Sequence, residues 1–254
     1  MLDLYHALIS EPIFNLLIGL HNIIPGRDIG IAIILLTIII KLVLWPLQQK
    51  ALKSQKALQD LQPKVQELKK KYPNKEDQEK MAKEMMAIYS KEKVNPLSSC
   101  LPLMIQIPIF IALYRSMMHG LDSSGFEALY SFVENPGTIV PSLLGLVDLA
   151  SPNYFLAIAA AVAQYFQAKM MISRQQPKKT PGAQDEQMLA SMNKSMIYMM
   201  PGLTLFIGVQ LPGGLALYWL VMTLLTILQQ YFFFNKKKAV EEGTKDDPIE
   251  VEAK

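Results

Sequence analysis

Apolar residues in this chain gather into five runs, centred roughly on 29–47, 101–118, 152–172, 196–210 and 213–234 and separated by polar connections. Most approach the ~20 residues that a helix needs to cross a bilayer, and the fourth is short enough that it must pack, tilt or thin the membrane. The pattern predicts an all-α membrane protein with five transmembrane helices. Ahead of the first run, Ile13, Leu16, Leu17, Leu20, Ile23 and Ile24 recur at helical spacing with polar residues between them. They predict an amphipathic helix lying on the membrane surface, punctuated by Pro25 and Gly26.

Beyond the first run, Leu47, Ala51, Ser54, Leu58, Leu61, Val65, Leu68 and Tyr72 follow a four-three spacing. The first span is therefore expected to continue out of the membrane as an amphipathic helix whose stripe must find a partner. "YPNKED" at 72–77 breaks the pattern, and Met81, Met85 and Ile88 resume it with Ala82, Met86 and Tyr89 beside them. Two antiparallel helices, a hairpin over residues 48–96, satisfy both stripes. Pro63 marks a kink or short break within the first arm.

Composition agrees with the runs: 51% of the 254 residues are hydrophobic, above the usual soluble range. Charge then sets orientation. Residues 47–100 hold twelve Lys against seven Asp and Glu, whereas 116–168 contain no Lys or Arg. By the positive-inside rule the hairpin is cytoplasmic and the later connection external. Arg174, Lys178, Lys179 and Lys194 place the next connection inside, and Lys236, Lys237 and Lys238 place the C-terminus inside. The N-terminus is then outside, with Arg27, and so is the amphipathic helix. "MLDLYHALISEP" has neither the basic start nor the cleavable apolar core of a signal peptide, so the N-terminus is expected to be mature as written. The expected organisation is an external segment 1–28, a five-helix core 29–234 that includes the hairpin, and a charged, disordered tail 235–254.

Candidate chemistry is sparse. One cysteine, Cys100, and three scattered histidines, His6, His21 and His119, propose no metal site and no intramolecular disulfide. No phosphate-binding loop or cofactor motif is present, which points away from an enzyme. The notable residues are polar ones inside the runs. Lys41 stands in "IAIILLTIIIKLVLWP", with Thr37 one helical turn earlier on the same side. Gln106 sits between Pro102 and Pro108; Gln164 and Gln167 precede Lys169; Tyr218, Trp219 and Thr223 follow "LPGG", and Thr226 and Gln229 come after them.

Polar groups at such depth need hydrogen bonds across helix interfaces or a wet cavity. Interhelical bonding is the plainer reading for Gln164 and Thr226 taken singly. Lys41 lies roughly 9 Å from the cytoplasmic end of its run, within snorkelling reach. No acidic partner occurs in any of the five runs, however, and an unpaired amine stays charged only where water reaches it. The expectation is a hydrated recess open toward the cytoplasm, with Lys41 as its fixed positive charge. The lack of carboxylates and internal repeats argues against a proton-coupled transporter, leaving a small channel or transporter as the competing class. The lysine-rich face of the hairpin reads either as a solvated topology signal or as an arm that meets incoming polypeptide, anionic lipid or a ribosome, with Met81, Met85 and Met86 as adaptable contacts.

Three stretches, "GIAIILLTIIIKLVLWPLQQKALKSQKALQDLQPKVQELKKKY", "EMMAIYSKEKVNPLSSCLPLMIQIPIFIALYRSM" and "MMPGLTLFIGVQLPGGLALYWLVMTLLTILQQ", resemble the YidC-type membrane protein insertases of the YidC/Oxa/Alb family. The likeness runs from about Glu11 to Phe234. It implies five helices around a hydrophilic groove, open to the cytoplasm and to lipid and closed outward, in the bacterial plasma (inner) membrane. Hydrophobic segments of nascent membrane proteins would slide along that groove into the lipid bilayer, alone or with the Sec translocon and a ribosome. No cofactor and no specific nucleic acid recognition are implied. The family's intramembrane basic residue, usually arginine, matches Lys41; its groove-lining threonine matches Thr37, its second-span glutamine Gln106, and its last-span aromatic pair Tyr218 and Trp219. Lysine keeps the charge but loses the five-donor fork of arginine. Nothing corresponds to the extra N-terminal span and large external domain of some members, so the chain reads as a short form. Its short, finally acidic tail does not resemble a ribosome-binding extension.

Overall fold

The computed structural model describes residues 2–72, 77–95, 101–121, 126–172 and 197–243. Cys100, most of the "YPNKED" turn, the connection with Arg174, Lys178, Lys179 and Lys194, and the tail beyond Gly243 lie outside the described residues.

Helical turns at Leu2–Tyr5 and His6–Ser10 lead into α1 (Glu11–Ile23), where Pro12 occupies the first turn and loses no helical hydrogen bond. The sequence reads this segment as amphipathic, and Leu17, Leu20 and Ile24 of its apolar face are buried with Phe14 and Ile18; Ser10, Asn15 and His21 are buried as well, while Leu16 and Ile23 are exposed. Asn15 shows why a polar residue joins the buried face. Its amide donates to the carbonyls of Glu11 (2.9 Å) and Ala128 (3.1 Å) and accepts from the Tyr130 N–H (2.7 Å), so it ties the loop after the second apolar run onto α1. Nearby, Asn22 donates to the Glu134 carbonyl at 2.6 Å.

Gly26 and Arg27 turn the chain through positive φ into α2 (Ile29–Val43), capped by Asp28, whose carboxylate accepts from the Ile31 N–H at 2.8 Å. The first apolar run is not one straight helix. It stops at Leu44, and α3 (Trp45–Asp60) leaves at 63° to α2. Pro46 is the reason: its ring cannot follow four residues of regular helix, but it suits the first turn of a new one. The same device recurs at Leu61, where α4 (Gln62–Lys71) begins with Pro63.

α5 (Gln78–Lys91) runs back along α4, with Lys64 paired to Glu92 at 2.5 Å and Lys71 to Glu84 at 3.2 Å. Tyr72 also donates its hydroxyl to Glu84, at 2.5 Å. Ala51, Leu52, Leu61 and Leu68 of the predicted stripe region are buried, whereas no residue of α5 is, and Met86 is 56% exposed.

α6 (Leu101–Leu121), α7 (Tyr154–Ile172), α8 (Ile197–Gly208) and α9 (Gly213–Gly243) fall on the remaining apolar runs. α9 continues to Gly243, so the charged tail begins as helix. By length and composition, one described helix stretch, Gly213–Phe233, is apolar enough to cross a membrane by itself, and the bent α2–α3 pair passes the same test together. Between α6 and α7 the chain makes an unpredicted hairpin of β1 (Ser142–Leu143) and β2 (Val147–Asp148), paired antiparallel. The second carboxylate oxygen of Asp28 accepts from the Leu144 N–H at 2.5 Å, tying this hairpin to the start of α2.

α9 lies along α7 and α2, and α1 covers α2 and α6. Buried Ala157, Ala160, Ala161 and Ala163 on α7 permit close backbone approach; a Cβ on Gly208 would already stand 3.1 Å from that of Ala157. At the start of α9, Gly214 admits the Met117 side chain beside Ile33, where any Cβ would intrude. Ile29, Ile33, Leu36, Leu113, Met117, Leu149 and Leu215 form a fully buried apolar layer at this end of the bundle.

Candidate functional site

The bend at Leu44 and the helices that follow leave a cavity of about 440 Å³ between α2, α3, α6, α7, α8 and α9. Lys41, one turn before the bend, is buried and lines it, together with Gln106, Tyr218 and Trp219. Four of the five residues singled out in the sequence therefore meet in one place. Thr37 does not: it is fully buried on α2, does not line the cavity, and donates its hydroxyl to the Ile33 carbonyl four residues back, at 2.6 Å. A back-bonded threonine needs no other partner. Helical periodicity placed it on the same side as Lys41, but only the packing of α9 against α2 decides which part of that side opens.

Lys41 is not left without a hydrogen-bond partner, as the sequence reading implied. Its amine donates to the Thr226 hydroxyl at 2.8 Å, and Thr226 in turn donates to the Met222 carbonyl at 2.7 Å. The partner is neutral, so the positive charge is held but not cancelled. Among the described residues no Asp or Glu lines the cavity. Thr226 and Gln164, for which bonding between helices was the plainer reading, both line the cavity while making such bonds; Gln164 accepts from the Thr204 hydroxyl on α8.

Gln106 donates to the Tyr218 hydroxyl at 2.5 Å, across from α6 to α9. Tyr218 is 1% exposed and packs within the buried apolar cluster. Phe110 meets Trp219 edge to face, with ring centroids 5.8 Å apart. Pro108 weakens the α6 ladder one turn away, and its own carbonyl accepts from the Tyr5 hydroxyl at 2.9 Å.

The remaining lining is rich in glutamine: Gln48 and Gln55 come from α3, Gln164 and Gln167 from α7, Gln229 and Gln230 from α9. Gln48, Gln55 and Gln230 are the residues the sequence reading passed over. Their signal was available, since Lys41, Gln48 and Gln55 are seven apart and two glutamines in "TILQQYF" interrupt an apolar run. Among the described residues no three or more His, Cys, Asp or Glu converge on a metal-binding position.

A sequence profile of the 60Kd inner membrane protein family matches residues 19–241. The chain belongs to this family. Relatives within it include the membrane protein insertase YidC of Geobacter sulfurreducens, 36% identical over 230 residues that make up 90% of this chain and 37% of the relative. YidC of Geobacter metallireducens is 33% identical, over 93% of this chain and 39% of its own length. YidC 1 of Listeria monocytogenes is 33% identical over 84% of this chain and 66% of its own. The chain thus spans under two fifths of the Geobacter relatives. A solved structure described as an active YidC insertase with its first transmembrane domain resolved superimposes with a TM-score of 0.55 at 25% identity, over 81% of this chain and 42% of that one. The helical architecture is therefore that of the 60Kd inner membrane protein family.

Proposed function

We propose that this chain is a membrane protein insertase that moves hydrophobic segments of nascent proteins from the cytoplasm into the bilayer. The observation that carries the reading is the cavity itself: a buried amine with a neutral partner, surrounded by amides and, among the described residues, by no carboxylate. Such a lining keeps water and a net positive charge at membrane depth, which lowers the desolvation cost for a polar, acidic tail. Relatives named as insertases over most of this chain agree with it.

In this reading α2, α6, α7, α8 and α9 are the five spans, the groove opens toward the cytoplasm and laterally to lipid, and the buried apolar layer closes it outward. The N-terminus and α1 lie outside, and the α4–α5 hairpin and the C-terminus lie inside. Lys41, Gln106, Tyr218 and Trp219 are the substrate-facing groups, with Thr37 supporting the wall behind Lys41. The 15 residues of α2 span only about 22 Å, less than the hydrocarbon thickness, so the bilayer thins beside the groove. The protein works by binding and by lowering this barrier, without covalent chemistry, and the hairpin is where a ribosome or the Sec translocon would approach.

The test is insertion of a single-span substrate with a short acidic N-terminal tail into vesicles holding the purified protein, read as protease protection of the tail. Protection above that in empty vesicles is expected. Equal protection in both, or solute leakage without substrate, would overturn the reading in favour of a channel or transporter.

A further inference from the structure

Burial of the cavity's amides goes beyond what a wet wall requires. Gln229 and Gln230 are each 1% exposed, and neither end of the Gln229 amide has a hydrogen-bond partner; the Gln230 and Gln48 carbonyl oxygens also lack one. Buried polar groups are almost always paired, because an unpaired one forfeits its hydration without return. These amides line the same cavity as Lys41, Gln48 from α3 and Gln229 and Gln230 from α9. A helix-bonding role accounts for Gln106 and Gln164, which have partners, but not for the Gln229 amide or for the carbonyl oxygens of Gln48 and Gln230.

We infer that the unpaired side-chain carbonyls of Gln48, Gln229 and Gln230, with the unpaired Gln229 amide nitrogen, bind the polypeptide backbone of the substrate's polar segment, the carbonyls accepting from its N–H groups whatever its side chains. This deepens the insertase reading and rests on it. A primary amide offers the same donors and acceptor as a peptide unit, so a wall of glutamines complements any extended backbone. A wall of charges would instead select by sequence. Methionines Met171, Met200 and Met222 in the same lining add adaptable apolar contact and no hydrogen-bond demand. Water occupies the amides at rest, and a backbone that reproduces its hydrogen bonds displaces it at little cost.

The experiment compares two synthetic single-span peptides, one with a polar tail built on glycine and one with the tail built on N-methylglycine, which keeps the carbonyls and removes the N–H donors. Tail translocation into vesicles holding the full chain is read against empty vesicles. The protein should accelerate the glycine tail about fivefold more than the N-methylglycine tail, the value of roughly one hydrogen bond. Gln229→Met should abolish that preference without lowering the unfolding temperature, since neither end of the replaced amide has a partner in the resting fold. Equal acceleration of both peptides by the unsubstituted protein would overturn this inference alone; acceleration of neither would overturn the insertase reading and this inference with it. A marked fall in unfolding temperature for this variant would also overturn it, by showing the Gln229 amide to be structural.

Discussion

Lys41 on α2 donates its amine to the hydroxyl of Thr226 on α9, 185 residues further along the chain, at 2.8 Å. The bond joins α2 to α9, the helix that supplies the largest share of the polar lining, and it holds a cation without neutralising it. A buried charge kept this way contributes little to stability, because desolvation offsets what the hydroxyl returns. Lys41→Met is therefore expected to unfold in detergent at the same or a higher temperature. Insertion of an acidic-tailed substrate should nonetheless fall about tenfold, equivalent to about 1.4 kcal/mol, while Lys41→Arg retains it. A large drop in unfolding temperature with unchanged insertion would assign the lysine a purely structural part.

Gln106 and Tyr218 pair across α6 and α9 next to the apolar layer. Tyr218→Phe leaves the Gln106 amide without its acceptor and should cost about 1–2 kcal/mol. Adding Gln106→Leu removes the stranded group, so the double variant should be more stable than the sum of the single changes predicts. Thermal unfolding of the four proteins measures the coupling, and strict additivity would contradict the bond.

Asp28 serves two elements at once, capping α2 through Ile31 and holding the β-hairpin through Leu144. Asp28→Ala should destabilise by about 1–2 kcal/mol, at the upper end for a lost cap because the hairpin tether goes with it. Hydrogen exchange at residues 142–148 should rise together with that at the first turn of α2. Loss of protection at only one of the two would show that the carboxylate does not bridge them.

In the α4–α5 hairpin, the Tyr72 hydroxyl and the Lys71 amine hold the Glu84 carboxyl below its ordinary value of 4.5, and Lys64 does the same for Glu92. A carboxylate with a depressed folded-state pKa stabilises above its unfolded value and loses that contribution as pH falls through the folded one. Exchange protection of α4 against α5 should accordingly be flat from neutral pH to about 5 and decline below the ordinary glutamate range near 4.3. Glu84→Gln should weaken protection at neutral pH and flatten the decline. The Lys71 amine, raised by its hydrogen bonds to Tyr72 and Glu84, works in the opposite sense and gives up its contribution only as pH climbs past 10.5.

Where the sequence reading went furthest, it rested on local signals. Apolar runs, the proline at 63 and the glycines at 213 and 214 lie within a few residues of the helix ends they create. The kink at Leu44 was nevertheless passed over, because an uninterrupted apolar stripe outweighed one proline in a linear view. The β-hairpin was missed for a related reason: two residues per strand give no alternation, and Asp28, which tethers it, is 116 positions from Leu144.

By itself the sequence determined that the chain is helical, where its apolar helices run, and that a lysine without an acidic partner sits within one of them. Hydrophobic period and chain punctuation carry that information locally. Tertiary structure alone decided which polar residues share a cavity. It turned Asn15 inward to clamp a loop, withdrew Thr37 behind α2, gave Lys41 the Thr226 hydroxyl, and brought the glutamines of α3, α7 and α9 around the same space. Helix period fixes a residue's angle about its own axis to within a face. Whether that face meets a neighbour, water or lipid depends on crossing angles set by the small residues of α7 and α9 and by the bend at Leu44, which act between helices far apart in the chain.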